Sequence, residues 1–319
     1  MTKQSFREKW LAAVEAKGSV LCAGLDPAEF AMGRGEKGLA AGTDKLKWAL
    51  QYIHAVAPYC AALKPNMQYW KNAANLQMSS KGGMQALLEI SDLAQSLDLL
   101  VIDDSKLADI GPTNDAGAFY AAQKKVDAVT FSPFAGNIEE AAEQAHTKSL
   151  GLISMCLMSN PQYAREKNKL VPIGRVEGGP IIQDPKIENY RKKDFEFLRI
   201  KDTNLSEVFV KQYIQLAHDA QKFGIDGIVI GAPSETNHIE DYEIAKVRSY
   251  VDDKMLVLLP GVGAQGGEAG KIWEHFDKNN VIVNVGRSLM LPKGSNSTPQ
   301  QQAETAKQYR NMLNDLRTK

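Results

Sequence analysis

Eight short apolar runs recur along the chain, and stretches with helical spacing lie between them. The runs are SVLCAGLD (19–26), YCAALKPN (59–66), LLVIDDSK (99–106), DAVTFSP (127–133), SLGLISMCL (149–157), DGIVIGAP (226–233), MLVLLPGVG (255–263) and NVIVNVGR (280–287). Continuous apolar character, rather than alternation, marks strands buried on both faces, as in a parallel sheet covered by helices. Eight strand–helix units predict an α/β chain folded as a closed (β/α)8 TIM barrel. An open doubly wound sheet is the competing architecture, but the GxGxxG expected after its first strand is missing.

Helix signals fill the gaps. Ser5 and Glu8 form an S-x-x-E capping box, Phe6, Trp10 and Val14 follow at helical spacing, and Gly18 can stop that helix. Thr43 precedes a pattern of Leu46, Leu50 and Ile53, and Met84, Leu87, Leu88 and Ile90 make another. Asn137 opens a third, with Glu140 three residues on. Leu205 to Phe223, Gly266 to Phe276 and Gln300 to Leu316 are expected to be helical too. The 319 residues read as one barrel domain over 1–319. Residues 162–203 break the rhythm with many charges, Gly178, Gly179, Pro180 and Pro185. This stretch is expected to be an insertion after strand five with some structure of its own. It is either a lid over the catalytic end or a surface elaboration.

Composition excludes several classes. Lys plus Arg is 38 and Asp plus Glu is 38, so a phosphate-neutralising nucleic-acid binder is disfavoured. Apolar runs of about eight residues are far short of a membrane span. Glu8 and Glu15 interrupt the N-terminal apolar pattern, which therefore does not read as a signal peptide. Cys22, Cys60 and Cys156 are scattered, and no zinc spacing or HExxH occurs. The expectation is a cytoplasmic protein with no metal.

Barrel active sites collect at the C-terminal ends of the strands. Those ends carry Asp26, Lys64, Asp104, Lys106, Asp109, Ser159, Gln265 and Arg287. Asp104 and Lys106 are two apart and share one strand face, with Leu100 and Ile102 below them. Asp103 and Ser105 should point away from the barrel axis. Lys64 ends the neighbouring strand, so Lys64, Asp104, Lys106 and Asp109 can form an alternating array of cations and anions. Charge is costly in a barrel interior unless it is paired or used. Flanking carboxylates favour an ammonium, which suits Lys106 to proton donation. A Schiff-base role, which needs a neutral lysine, is the other reading.

Loops after strands seven and eight commonly bind phosphate in such barrels. Here they read PGVGAQGG (260–267) and NVGRS (284–288), with Gly286 freeing an amide and Arg287 offering a guanidinium fork. Residues alone thus predict a small phosphorylated substrate, acid–base lysine chemistry and no cofactor fingerprint.

The D-x-K-x-x-D-I motif of Asp104, Lys106, Asp109 and Ile110 resembles the orotidine 5'-monophosphate decarboxylase family. GLDP (24–27), LKPN (63–66), MSNP (158–161), PGVGAQGG and NVGRS stand around it in matching order, and KPN, SNP and GAQGG resemble the longer bacterial branch. The resemblance implies cofactor-independent conversion of orotidine 5'-monophosphate to uridine 5'-monophosphate and carbon dioxide, in pyrimidine synthesis. It implies that Lys106 protonates C6, that Asp104 lies against the departing carboxylate, and that Lys64 links Asp104 to the ribose. It implies a homodimer, with Asp109 contributed across the interface beside Ile110 and Thr113. Asp26 would hold a ribose hydroxyl, Ser159 the pyrimidine edge, and Gln265, Gly286 and Arg287 the phosphate, with Pro260 near the base. The 162–203 insertion is longer than expected of a compact member. Related sugar-phosphate enzymes share D-x-K-x-x-D but use magnesium and are expected to carry glutamate where Lys64 stands. A catalytically silent nucleotide-binding protein would bind phosphate without turnover.

Overall fold

Ser5 starts the first helix as expected: its hydroxyl accepts from the Glu8 amide, Glu8 answers to the Ser5 amide, and Gly18 ends the helix in the left-handed region. The computed structural model describes residues 4–71, 83–177, 190–199, 205–235, 237–263 and 267–318. The chain runs through α1 (Phe6–Lys17), β1 (Leu21–Leu25), α2 (Lys45–Val56), β2 (Ala62–Pro65), α3 (Gly83–Ser96), β3 (Leu100–Leu107), α4 (Gly111–Gln123), β4 (Ala128–Phe131), α5 (Ile138–Thr147), β5 (Gly151–Leu157) and α6 (Tyr163–Glu166). It continues through β6 (Leu170–Glu177), β7 (Glu196–Arg199), β8 (Leu205–Lys211), α7 (Gln212–Lys222), β9 (Gly227–Ile230), α8 (Asp241–Arg248), β10 (Leu256–Pro260), β11 (Val281–Val285), α9 (Arg287–Met290), β12 (Pro292–Ser295) and α10 (Pro299–Thr318).

Eight strands close a barrel in the order β1-β11-β10-β9-β5-β4-β3-β2, every pair parallel. They are the eight apolar runs of the sequence. All residues of β1, β4, β5, β9 and β11 are buried, because side chains fill the interior on one face and meet helices on the other.

Helix α1 closes the N-terminal end. Lys9 reaches Asp127 at 2.8 Å just before β4, and the Trp10 indole donates to the Asn279 carbonyl at 2.7 Å just before β11. Chemistry is thereby left to the opposite end.

After β5 and α6, strands β6, β8 and β7 form a separate antiparallel sheet. Leu205 to Lys211 is therefore strand, not the start of the expected helix, which begins only at Gln212. Val208 and Val210 are both buried, a period-two signal in a β-branched run that outweighs helical spacing. Gly266, where a helix to Phe276 is expected, lies outside the described residues, and the described part of that stretch holds a single 3-10 turn, Gly270–Glu274. Besides the four-residue helices α6 and α9, two helices escape the apolar pattern. Helix α4 opens Gly-Pro and buries small residues such as Ala118 and Ala121, and α8 is only eight residues long. Asn137 precedes α5 without capping it; its carboxamide donates instead to the Asp109 carbonyl at 3.1 Å.

Among the described residues no helix is long and apolar enough to cross a membrane. The three cysteines are free and buried. Burial pushes the Cys22 and Cys156 thiols up to about 12, so they pack as neutral groups rather than act as nucleophiles.

Candidate active site

Strands β1, β2 and β3 bring the first three charged side chains together. Parallel register sets Gly24 opposite Lys64. Strand β3 then departs from regular pairing: its register with β4 shifts between Asp103 and Leu107, and Lys106 has φ +50°. A positive φ is unfavourable for lysine and is held only where surrounding contacts over-determine it. Here the Lys106 amide donates to the Thr130 hydroxyl at 3.0 Å. That hydroxyl donates in turn to Asp104 Oδ1 at 3.0 Å.

Asp104 sits between two ammonium groups. Lys64 pairs with its Oδ2 and Lys106 with its Oδ1. Lys64 and Asp104 are 4% and 7% exposed, whereas nearly half of the Lys106 side chain is open to solvent. The exposed lysine is thus the one free to meet a ligand. Burial works against the Asp104 carboxylate, but Lys64 and Lys106 more than offset it and hold the carboxyl well below the usual range. Burial likewise works against a charged Lys64, and Asp104 and Asp26 overcome it and raise the ammonium above its ordinary value. Both groups are ionised at neutral pH.

Asp26 follows β1 on the same face. Burial raises its carboxyl, with Lys64 opposing the effect and Asp104 reinforcing it. Its Oδ1 is buried and has no hydrogen-bond partner among the described residues.

These side chains open onto a cavity of about 330 Å3. Of the residues singled out in the sequence, Asp26, Lys64, Asp104, Lys106, Pro260, Gly286 and Arg287 line it. Pro260 ends β10 and pairs in register with Asn284 of β11. Gly286 and Arg287 follow at the start of α9. The loop leaving β10 turns at Gly261 and Gly263, with φ +97° and +89°. A Cβ at Gly263 would lie 2.3 Å from the Tyr309 hydroxyl, so glycine alone lets α10 support the loop so closely.

The other expected residues stand elsewhere. The Asp109 Oδ1 accepts from the neighbouring Ile110 amide at 2.7 Å, so within one chain Asp109 does not join the array. Ile110 and Thr113 are exposed at the start of α4. Ser159 lies beyond β5, tight against Gly231, and does not line the cavity. Gln265 falls outside the described residues. Asp103 points outward as expected, to Lys124 of the helix layer at 2.5 Å.

Sequence reasoning missed four contributors. Thr130 was hidden as a hydroxyl in an apolar run. Asn284 was the only polar residue of β11, and that contrast was the available signal. Arg34 and Lys37, which cap and end the second 3-10 turn after β1 (Gly35–Lys37), join Arg287 on the cavity wall. None of these three cations has an ion-pair partner among the described residues, so the wall suits an anion. A second cleft of about 870 Å3 against α10 shares Lys37 and Arg287 but contains none of the Lys64–Asp104–Lys106 array. Asp241, Glu274 and His275 bring ligand-type atoms within 4.8 Å of one another, and none of them lines the cavity.

Fold and site together define a (β/α)8-barrel enzyme with a charge-paired centre beside a cationic wall. The sequence model of the Orotidine 5'-phosphate decarboxylase / HUMPS family matches residues 19–177. Orotidine 5'-phosphate decarboxylase of Halorubrum lacusprofundi is 27% identical over 98% of this chain and all of its own length. The protein of the same name from Dehalococcoides mccartyi is 26% identical over 98% of both chains. The Leishmania donovani OMP decarboxylase structure superposes with a TM-score of 0.66 at 21% identity, covering 99% of this chain and all of that one. The chain is thus similar to the Orotidine 5'-phosphate decarboxylase / HUMPS family over residues 19–177, and to proteins named orotidine 5'-phosphate decarboxylase over nearly its whole length.

Proposed function

We propose that the protein decarboxylates orotidine 5'-monophosphate to uridine 5'-monophosphate without a metal or organic cofactor. The observation that carries this reading is Asp104 clamped between Lys64 and Lys106 at the barrel mouth. In the reaction the bond from C6 to the carboxylate breaks, carbon dioxide leaves, and the electron pair stays on C6. The Lys106 ammonium offsets that developing charge and then delivers its proton to C6; the lysine recovers a proton from solvent. Because the array is already paired and fixed, little reorganisation accompanies the reaction.

Arg287 and the Gly286 amide take the phosphate, together with Arg34, Lys37 and Gln265. Binding energy gathered there, away from C6, drives closure of the site. Asp26 takes a ribose hydroxyl, Pro260 lies near the base, and Ser159 meets the pyrimidine edge. Asp104 faces the substrate carboxylate, and Lys64 ties it to the sugar.

Asp109 acts in a homodimer, completing the partner's array beside Ile110 and Thr113. Exposed Ile110, Phe119, Tyr120 and Phe134 support an apolar contact surface near α4. The free, buried cysteines suit a reducing compartment such as the cytoplasm.

Lys64 also supports the decarboxylase reading over a magnesium-dependent sugar-phosphate enzyme, which would carry glutamate there. The test is the absorbance change of orotidine 5'-monophosphate with excess EDTA. Turnover unaffected by EDTA is expected. A folded protein that leaves orotidine 5'-monophosphate intact, yet processes a hexulose phosphate once magnesium is added, overturns the proposal.

A further inference from the structure

Strand β11 reads VIVNV, and Asn284 is its one polar residue. Asn284 is 9% exposed and lines the 330 Å3 cavity. Its Oδ1 is buried and has no hydrogen-bond partner among the described residues. An unpaired buried carboxamide is destabilising, and a further valine would have completed the apolar strand.

Space for this carboxamide is provided across the β1–β11 seam. A Cβ at Gly24 would stand 3.4 Å from Asn284 Oδ1 and 2.8 Å from the Gly286 Cα. Glycine therefore permits both the carboxamide and the phosphate-side backbone to approach β1. Asp26, two residues beyond Gly24, carries the second unpartnered buried oxygen of the same cavity. Two acceptors, one on β11 and one just past the end of β1, thus belong to side chains lining one cavity, and Lys64 stands opposite Gly24. Paired acceptors call for paired hydroxyl donors, and a ribose presents two hydroxyls side by side.

We infer that Asn284 is a specificity-determining residue that accepts a hydrogen bond from one ribose hydroxyl while Asp26 holds the other. This rests on the proposed function in so far as the ligand is a ribonucleotide. A site built to bond a hydroxyl discriminates strongly against an analogue that lacks it, because its own polar group is then left unpaired.

The experiment is calorimetric binding of uridine 5'-monophosphate and its 2'-deoxy and 3'-deoxy forms to the parent, Asn284→Ala and Asn284→Leu. Thermal unfolding establishes that each variant is folded, and leucine fills the volume should alanine not fold. In the parent, each deoxy form should bind at least about tenfold more weakly than the ribonucleotide. In the variants, the ribonucleotide should weaken by about tenfold, while the deoxy form lacking the Asn284 partner hydroxyl is unchanged. Variants that keep the parental discrimination against both deoxy forms, or that weaken all three nucleotides equally, overturn the inference alone. A parent that binds none of the three overturns the functional reading, and this inference with it.

Discussion

The Thr130 hydroxyl donates to Asp104 Oδ1 at 3.0 Å, so a residue of the fourth strand fixes the carboxylate of the third. The same hydroxyl accepts from the Lys106 amide, which holds that lysine in its left-handed conformation. One side chain thus orders both the anion and the proposed proton donor. Thr130→Val keeps the shape and removes both bonds. A hydrogen bond to a charged group is worth about 1.5–3 kcal/mol. Steady-state kinetics on orotidine 5'-monophosphate should show kcat reduced by about 10- to 100-fold.

The Lys64–Asp104 pair gives the protein a defined pH window. Asp104 is depressed in the folded state, so its contribution is complete above its unfolded value of about 4 and is lost as pH falls through the folded value. Lys64 is raised, so its contribution is complete below about 10.4 and is lost as pH rises through the folded value. Chemical unfolding of the parent and Asp104→Asn across pH should show a stability gap that is widest from about pH 5 to 10 and shrinks below about pH 4. A gap that is the same at pH 3 and pH 7 would contradict this.

Asp26 carries the opposite sign. Burial raises its carboxyl, so its ionised form costs stability above its unfolded value near 4. Asp26→Asn should raise the unfolding temperature at pH 7 by about 1–3 °C. The same variant should weaken nucleotide binding by about tenfold, because a ribose hydroxyl loses its charged acceptor. Stability and binding should therefore move in opposite directions at one residue, as expected of a strained functional group.

Asp103 and Lys124 form a second buried pair, 2% and 6% exposed, on the outer face of β3. Asp103→Ala leaves the Lys124 ammonium buried without its partner. Breaking such a pair costs about 3–5 kcal/mol, to be read by urea unfolding. The neighbouring Asp104 faces inward, so a comparable loss of stability at Asp103 should come with far less loss of kcat per folded molecule.

These adjacent aspartates show what the sequence could convey. Strand alternation sends 103 to the helix layer and 104 to the barrel axis, and the structure does the same. The eight apolar runs became the eight barrel strands for a similar reason: burial on both faces leaves little freedom in composition. The bulge at Lys106 was not legible, because it depends on a hydroxyl from the next strand. Helix α4 was missed because close packing through Gly111 and Gly117 replaces an apolar stripe with small residues. Strand β8 was misread because Tyr213, Ile214 and Ala217 of α7 extend helical spacing backwards into it. Arg34 and Lys37 are ordinary in sequence and acquire meaning only from the cavity they share, whereas Asn284 stands out as the one polar residue of an apolar run.

The most direct test of the account is the rate of orotidine 5'-monophosphate loss with the parent and with Lys106→Ala, at matched folded concentration in EDTA. The Lys106 side chain is about half exposed, so its removal should leave the fold intact by circular dichroism. Rapid loss with the parent and a rate lower by at least about 10⁴-fold with the variant is the predicted result, combining lost charge stabilisation and lost proton transfer. A folded Lys106→Ala that retains turnover within tenfold of the parent would contradict proton delivery by Lys106.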